Sequence, residues 1–339
     1  MKKLLPKTKM FAEAAAQSKG KNFIIETLIF IAVFLVTSIV SSLGSLVYGI
    51  AQIMSNEKMI DAVMQFNKGE ISQEEYQQII APVLSGSEAI LIQLFSTGIT
   101  TLLVFLFVTK IEKRKLSTMG FRKSNWGIEY LCGMGIGTLM FSLGILICVV
   151  TGSLRFEGLV KGANYALIFG IFIGFLIQGM SEEVILRGYY MVSVSRKNHI
   201  AVAVGLSSVA FGLAHLANPN VNVLPIVNIT LFGLFEAIYI MKRGNIWGAC
   251  GIHSLWNFVQ GSVFGVHVSG LDNMETIFST QSVASRALIN GGDFGLEGGL
   301  AVTIVLILAT VITLMTKTKE SEIYVEESES LAEQAVTAE

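Results

Sequence analysis

Residues 166–190 read ALIFGIFIGFLIQGMSEEVILRGYY, and this stretch decides the fold. It is apolar over roughly the 20 residues that a bilayer crossing needs, yet Glu182, Glu183 and Arg187 interrupt it. Ionisable side chains at the centre of a membrane helix cost roughly 2.5–3.5 kcal/mol each on insertion scales, so these three would cost on the order of 8 kcal/mol if the costs added. A chain that carries such a load uses it. Three further polar residues in apolar surroundings, His215, His253 and Asn257, continue the pattern.

Outward from this stretch the composition agrees. Hydrophobic residues make up 52% of the 339 and charged residues 14%, against about a quarter charged in soluble domains. The expected fold is all-α, a polytopic membrane helical bundle. Eight apolar windows near span length fall at 24–46, 88–109, 127–151, 166–190, 200–217, 223–241, 245–264 and 298–316, the fifth and sixth being short. With the N-terminus inside, eighteen Lys and Arg fall on the inner side and five outside (Lys58, Lys68, Arg155, Lys161 and Arg286). That bias gives an N-in/C-in chain, which requires an even number of spans. A signal peptide is the competing reading of the N-terminus, but its apolar run is too long for a signal core.

The resulting organisation is a basic cytoplasmic N-terminus (1–22), then N-terminal helices with an external loop at 52–86 (23–165), and a core of four helices at 166–264. An external Gly- and Ser-rich loop (265–297), a last span (298–317) and an acidic, disordered tail (318–339) follow. Within 52–86, two short amphipathic helices are expected, and Ser72 and Glu75 have capping-box spacing. Gly133/Gly137 and Gly170/Gly174 have the small-xxx-small spacing of close helix packing. The three cysteines (Cys132, Cys148, Cys250) lie in apolar spans with no zinc spacing and are read as small buried residues. No basic face suggests nucleic acid.

Around a tip at residues 196–199, Glu182 and His215 each lie about 16 residues away, roughly 25 Å along antiparallel helices. They therefore arrive at one depth. His253 and Asn257, four apart, share one helix face.

Glu182-Glu183-Val184-Ile185-Leu186-Arg187 fits an EExxxR motif, Phe211 to His215 fits FxxxH, and His253 to Asn257 fits HxxxN. In this order, with Gly244-Asn245-Ile246-Trp247 before the last, the motifs resemble the CPBP intramembrane proteases, the CAAX-processing and bacteriocin-processing (Abi-like) family. The resemblance covers about residues 166–264 and implies hydrolysis of a peptide bond in a membrane-associated or lipidated peptide. It implies that Glu182 and His215 activate a water and that His253 and Asn257 stabilise the oxyanion, with Phe211 as cavity wall. Glu183 and Arg187 are expected to pair and to make the arginine tolerable in the membrane.

The same residues admit other chemistry. Glu182, His215 and His253 are a two-histidine, one-carboxylate set suited to zinc or another divalent metal, and the family has often been called metalloproteases. The metal-free route is favoured because Asn257 suits an oxyanion donor better than a ligand. There is no HExxH zinc helix and no GxSxG serine motif. Asp293 is read as a turn residue, His199 and His267 as interfacial, and Trp126, Trp247 and Trp256 as including interface anchors. Glu236 matches no motif; a merely structural role is expected for it, the alternatives being pairing with Arg187 or lining the cavity. Outside the enzyme class, the alternative is a non-proteolytic scaffold or bacteriocin-immunity protein binding a peptide in the same cavity. A transporter would show repeat symmetry, and none is visible. The bacterial plasma membrane is the expected location.

Overall fold

The computed structural model describes residues 8–271 and 274–318. In chain order the helices are α1 (Lys9–Gln17), α2 (Phe23–Ser55), α3 (Glu57–Asn67), α4 (Gln73–Leu84), α5 (Ser87–Leu106), α6 (Trp126–Val150) and α7 (Tyr165–Glu183). After them come α8 (Val192–Ser195), α9 (Ile200–Ala214), α10 (Val223–Arg243), α11 (Trp247–Phe258), α12 (Ala287–Asn290) and α13 (Leu300–Met315). Widened π turns extend α5 through Phe107–Ile111, join α7 to α8 through Val184–Met191, and extend α11 through Val259–Val263.

The surface is inverted relative to a soluble protein. On α2, Leu28, Val36, Ile39 and Val47 are exposed, whereas Glu26 is buried. Exposed apolar side chains at this density need lipid as solvent. Phe23–Ser55, Ser87–Ile111, Trp126–Val150, Tyr165–Ser195 and Val223–Arg243 are each long and apolar enough to cross a bilayer. The other three apolar windows fall on helices shorter than a full crossing: α9, α11 with its π turn, and α13. The protein is a largely helical membrane bundle.

At the centre α11 packs between α6 and α7, and α6 continues the ring to α13, α10 and α9. Glycines permit the closest of these approaches. A Cβ on Gly133 would lie 2.0 Å from the carbonyl oxygen of Gly248, and one on Gly137 would lie 2.3 Å from that of Ile252. Bare backbones therefore touch along α6 and α11, as the small-xxx-small spacing implies. Gly170 and Gly174 instead make room for the side chains of Leu91 and Leu94 on α5.

Local rules account for the ends of the helices. Asn22 caps α2 by accepting from the Ile25 amide, and Gly244 ends α10 with a left-handed φ of 72°. The region 52–86 holds two short helices, and Ser72 and Glu75 form the full capping box of α4.

The structure departs from the sequence reading in five places. The first window, 24–46, is part of a helix that runs on to Ser55. The N-terminal segment contains α1, whose Met10, Phe11 and Ala14 are buried, because this apolar face is covered by the 116–120 turn, with Met10 against Gly120. The loop 265–297 is not uniformly irregular. Strand β2 (Phe278–Ser282) pairs antiparallel with β1 (Leu154–Leu159), in register Leu154↔Ser282 with a bulge between Phe156 and Gly158. An all-α bundle thus carries one two-stranded ribbon. Cys132 is exposed on α6, whereas Cys148 and Cys250 are buried. Trp256 is no interface anchor, being 1% exposed and held by its indole N–H to Glu297 Oε1 at 3.2 Å. Of the acidic tail, residues 319–339 lie outside the described residues.

Candidate active site

The second half of α7, the π segment after it, and α11 supply the site. Glu182 and Glu183 close α7, and Arg187 lies inside the π segment. Glu183 and Arg187 are fully buried and form an ion pair, Nη1 to Oε1 at 3.0 Å. A buried pair tolerates its desolvation only with further partners, and these are present. The Arg187 guanidinium carbon sits 4.4 Å from the centre of the Phe211 ring, and Glu183 Oε1 also accepts from His253 Nδ1 at 2.9 Å.

His253 is where the chains of contacts meet. Its Nδ1 faces Glu183, and its Nε2 is 3.4 Å from Oε2 of Glu182. The imidazole therefore lies between two carboxylates. Phe211 and Phe232 press their rings edge-on against it, 5.7 and 5.2 Å between centroids. Gln178, one turn before Glu182, donates to Glu182 Oε1 at 2.6 Å and accepts from Asn257 Nδ2 at 3.0 Å. Read in order, Asn257, Gln178, Glu182, His253, Glu183 and Arg187 make one continuous polar chain between α7 and α11. Gln178 is the member that sequence reasoning missed, and its position four residues before Glu182 on a helix was the available signal.

His215 stands immediately after α9, where its Nδ1 lies 2.9 Å from the carbonyl oxygen of Phe211. A carbonyl can only accept, so Nδ1 carries the proton and Nε2 is left as an acceptor. His215 and Phe211 are also in edge-on contact, 4.9 Å between ring centres. Phe211 thus touches both histidines and the arginine.

Glu182, His215, His253 and Asn257 all line one cavity of about 280 Å³. Its far side is a second polar cluster. Glu297 accepts from Trp256, and its other oxygen accepts from the Ser269 amide and hydroxyl at 2.9 and 2.6 Å. Asn218 donates to the Ser269 carbonyl at 2.9 Å. These bonds fasten residues 265–271 across that end of the cavity. His267 Nδ1 lies 2.8 Å from the Asp293 carbonyl in the turn Gly292–Phe294, and His199 caps α9 by accepting from the Ala201 amide.

Glu236 does not line this cavity; it stands close enough to Arg187 to feel its charge, but neither of its oxygens has a hydrogen-bond partner among the described residues. A metal site would need Glu182, His215 and His253 to converge. Among the described residues no group of three or more His, Cys, Asp or Glu is placed to hold a metal ion, and both nitrogens of His253 already face carboxylates.

The arrangement offers a carboxylate, an imidazole acceptor and an amide donor facing one small chamber, the parts that water activation and oxyanion stabilisation require. Comparison with curated proteins and with solved structures found no match. A family comparison did find one: residues 164–259, which include every member of the polar chain together with Phe211 and His215, match the family described as Type II CAAX prenyl endopeptidase Rce1-like, so this segment is similar to the CAAX proteases that its motifs resemble.

Proposed function

We propose that the protein is an intramembrane endopeptidase that hydrolyses a peptide bond in a membrane-associated or lipidated peptide. The observation that carries this reading is the placement of His253 between Glu182 and Glu183, in a cavity that Asn257 and His215 also line. Water enters between Glu182 and Nε2 of His215. Glu182 takes one proton and the water oxygen bonds to the carbonyl carbon. The carbonyl oxygen takes up the charge against the second N–H of Asn257, the first being given to Gln178, and against His253 Nε2 when the imidazole carries both protons. Glu182 then returns the proton to the leaving amine as the C–N bond breaks. No step needs a metal.

Eight spans with both termini inside, in a bacterial plasma membrane, is the arrangement we assign. It is supported by the charge bias and by a helix at each apolar window. The division at 166–264 and 265–297 follows from the same reading.

The test uses the full chain reconstituted in liposomes, with substrates taken from peptide profiling of membranes that hold or lack it. Glu182→Gln should reduce cleavage at least a hundredfold, since removing the base removes a contribution of about 10²–10⁴. Cleavage by Glu182→Gln at the rate of the unsubstituted protein would instead indicate a peptide-binding scaffold or immunity protein. Dialysis against a chelator should leave the rate unchanged. A loss restored by zinc would overturn the metal-free route.

A further inference from the structure

Glu236 lies on α10, fully buried, and belongs to none of the three motifs. Both its carboxylate oxygens lack a hydrogen-bond partner among the described residues, as do Nε and Nη2 of Arg187 and Oε2 of Glu183. The three side chains are neighbours. Glu236 is within Coulombic range of both Glu183 and Arg187. Arg187 Nη2 lies over Gly233, three residues before Glu236 on the same helix, so closely that a Cβ there would come within 2.8 Å of it.

Three neighbouring ionisable side chains with no solvent exposure thus carry five polar atoms without a hydrogen-bond partner among the described residues. Buried polar atoms in folded proteins are satisfied, and where protein partners are lacking an ordered water bridges them, typically with two to four bonds. Two donor atoms on Arg187 and three carboxylate oxygens are a better match for water than for an ion of either sign.

We propose that Glu236, Arg187 and Glu183 bind an internal water behind the active site, and that Glu236 acts through it as a positioning residue. With the water in place Arg187 is held from both sides, by Glu183 directly and by Glu236 through the bridge. Glu183 Oε1 is then kept on Nδ1 of His253, which fixes the ring that faces Glu182. Glu236 touches neither substrate nor water nucleophile. Its effect on cleavage rests on the hydrolytic reading above, whereas its effect on His253 does not.

The experiment uses the full chain in lipid nanodiscs with nitrogen-15-labelled histidine. It compares E236Q and E236L with E26Q, a control at a buried acid that pairs with Arg196 away from the cavity. E236Q should unfold at the temperature of the unsubstituted protein, shift the ring resonances of His253, and lower kcat about tenfold with KM unchanged. E26Q should leave the His253 resonances in place. A high-resolution density map should show a peak within hydrogen-bond reach of both Glu236 and Arg187. The inference is overturned if E236Q, or a folded E236L, matches the unsubstituted protein in both His253 resonances and kcat. A map showing Glu236 bonded directly to Arg187 with no peak between them overturns it as well. Glu182→Gln run beside them separates the two ideas: if it cleaves normally the hydrolytic reading has failed, and the His253 resonances still decide the role of Glu236.

Discussion

At the scale of single residues, the polar chain predicts unequal consequences for its members. On the hydrolytic route proposed above, Asn257→Ala removes an oxyanion donor and should lower kcat by about 10²–10³, the loss typical of one such donor, with little change in KM. Gln178→Leu should act more mildly. It leaves Glu182 Oε1 and Asn257 Nδ2 without their shared partner, loosening both by roughly one hydrogen bond, about 1 kcal/mol or a fivefold to tenfold fall in kcat. Steady-state kinetics on the reconstituted protein would check both, and equal effects would show that Gln178 is itself part of the chemistry. Glu182, Glu183, Arg187, His215 and His253 were visible in the sequence because charge and imidazole in a membrane run are costly enough to be conspicuous, and Asn257 because it lies one turn after His253. Gln178 was not, since an uncharged amide is ordinary in a span. Glu236 was conspicuous as a charge, but its place beside Arg187 depends on how α10 packs, which no spacing fixes.

Among elements, the contact between α6 and α11 bears most directly on the site, since α11 carries His253 and Asn257. Gly137→Ala would drive a methyl into the Ile252 carbonyl, next to His253 in the chain. Overpacking of this kind costs about 1–3 kcal/mol, so the unfolding midpoint in detergent should fall and activity should fall with it. Gly135→Ala on the same helix, where a Cβ meets nothing within 4 Å, should be neutral in both measurements. The glycine spacing announced this contact in advance. Its partner helix was not legible, because spacing names a face and not what faces it. The β1–β2 ribbon was missed for a similar reason: its strands are six and five residues long and lie more than a hundred residues apart. Phe278–Ser282 has no apolar alternation, and that of Leu154-Arg155-Phe156-Glu157 stops at Gly158, too short to mark a strand alone. The π segment Val184–Met191 was also invisible, since no residue pattern distinguishes a widened turn from an α-helical one.

In the molecule as a whole, Glu297 is one of the ties between the loop 265–271 and the bundle, holding Trp256 on α11 and Ser269 in the loop. Glu297→Ala should release that end of the cavity. Amide exchange over 265–271 should quicken while exchange in α6 and α7 stays as it was, and uniform quickening would mean general destabilisation instead. The helical class and the apolar windows could be read from composition and run length. The lengths of the helices themselves could not. One of them has a consequence for the surrounding lipid. With 15 residues, α9 rises about 22 Å, well short of a hydrocarbon core of about 30 Å. In the eight-span arrangement proposed above, acyl chains beside it would compress or splay to meet it, thinning the bilayer next to His215 and drawing the headgroup region toward that side chain. Host membrane thickness would then become a control on the proposed hydrolysis: longer-chain lipids should slow it and shorter ones quicken it, with no change of sequence at all.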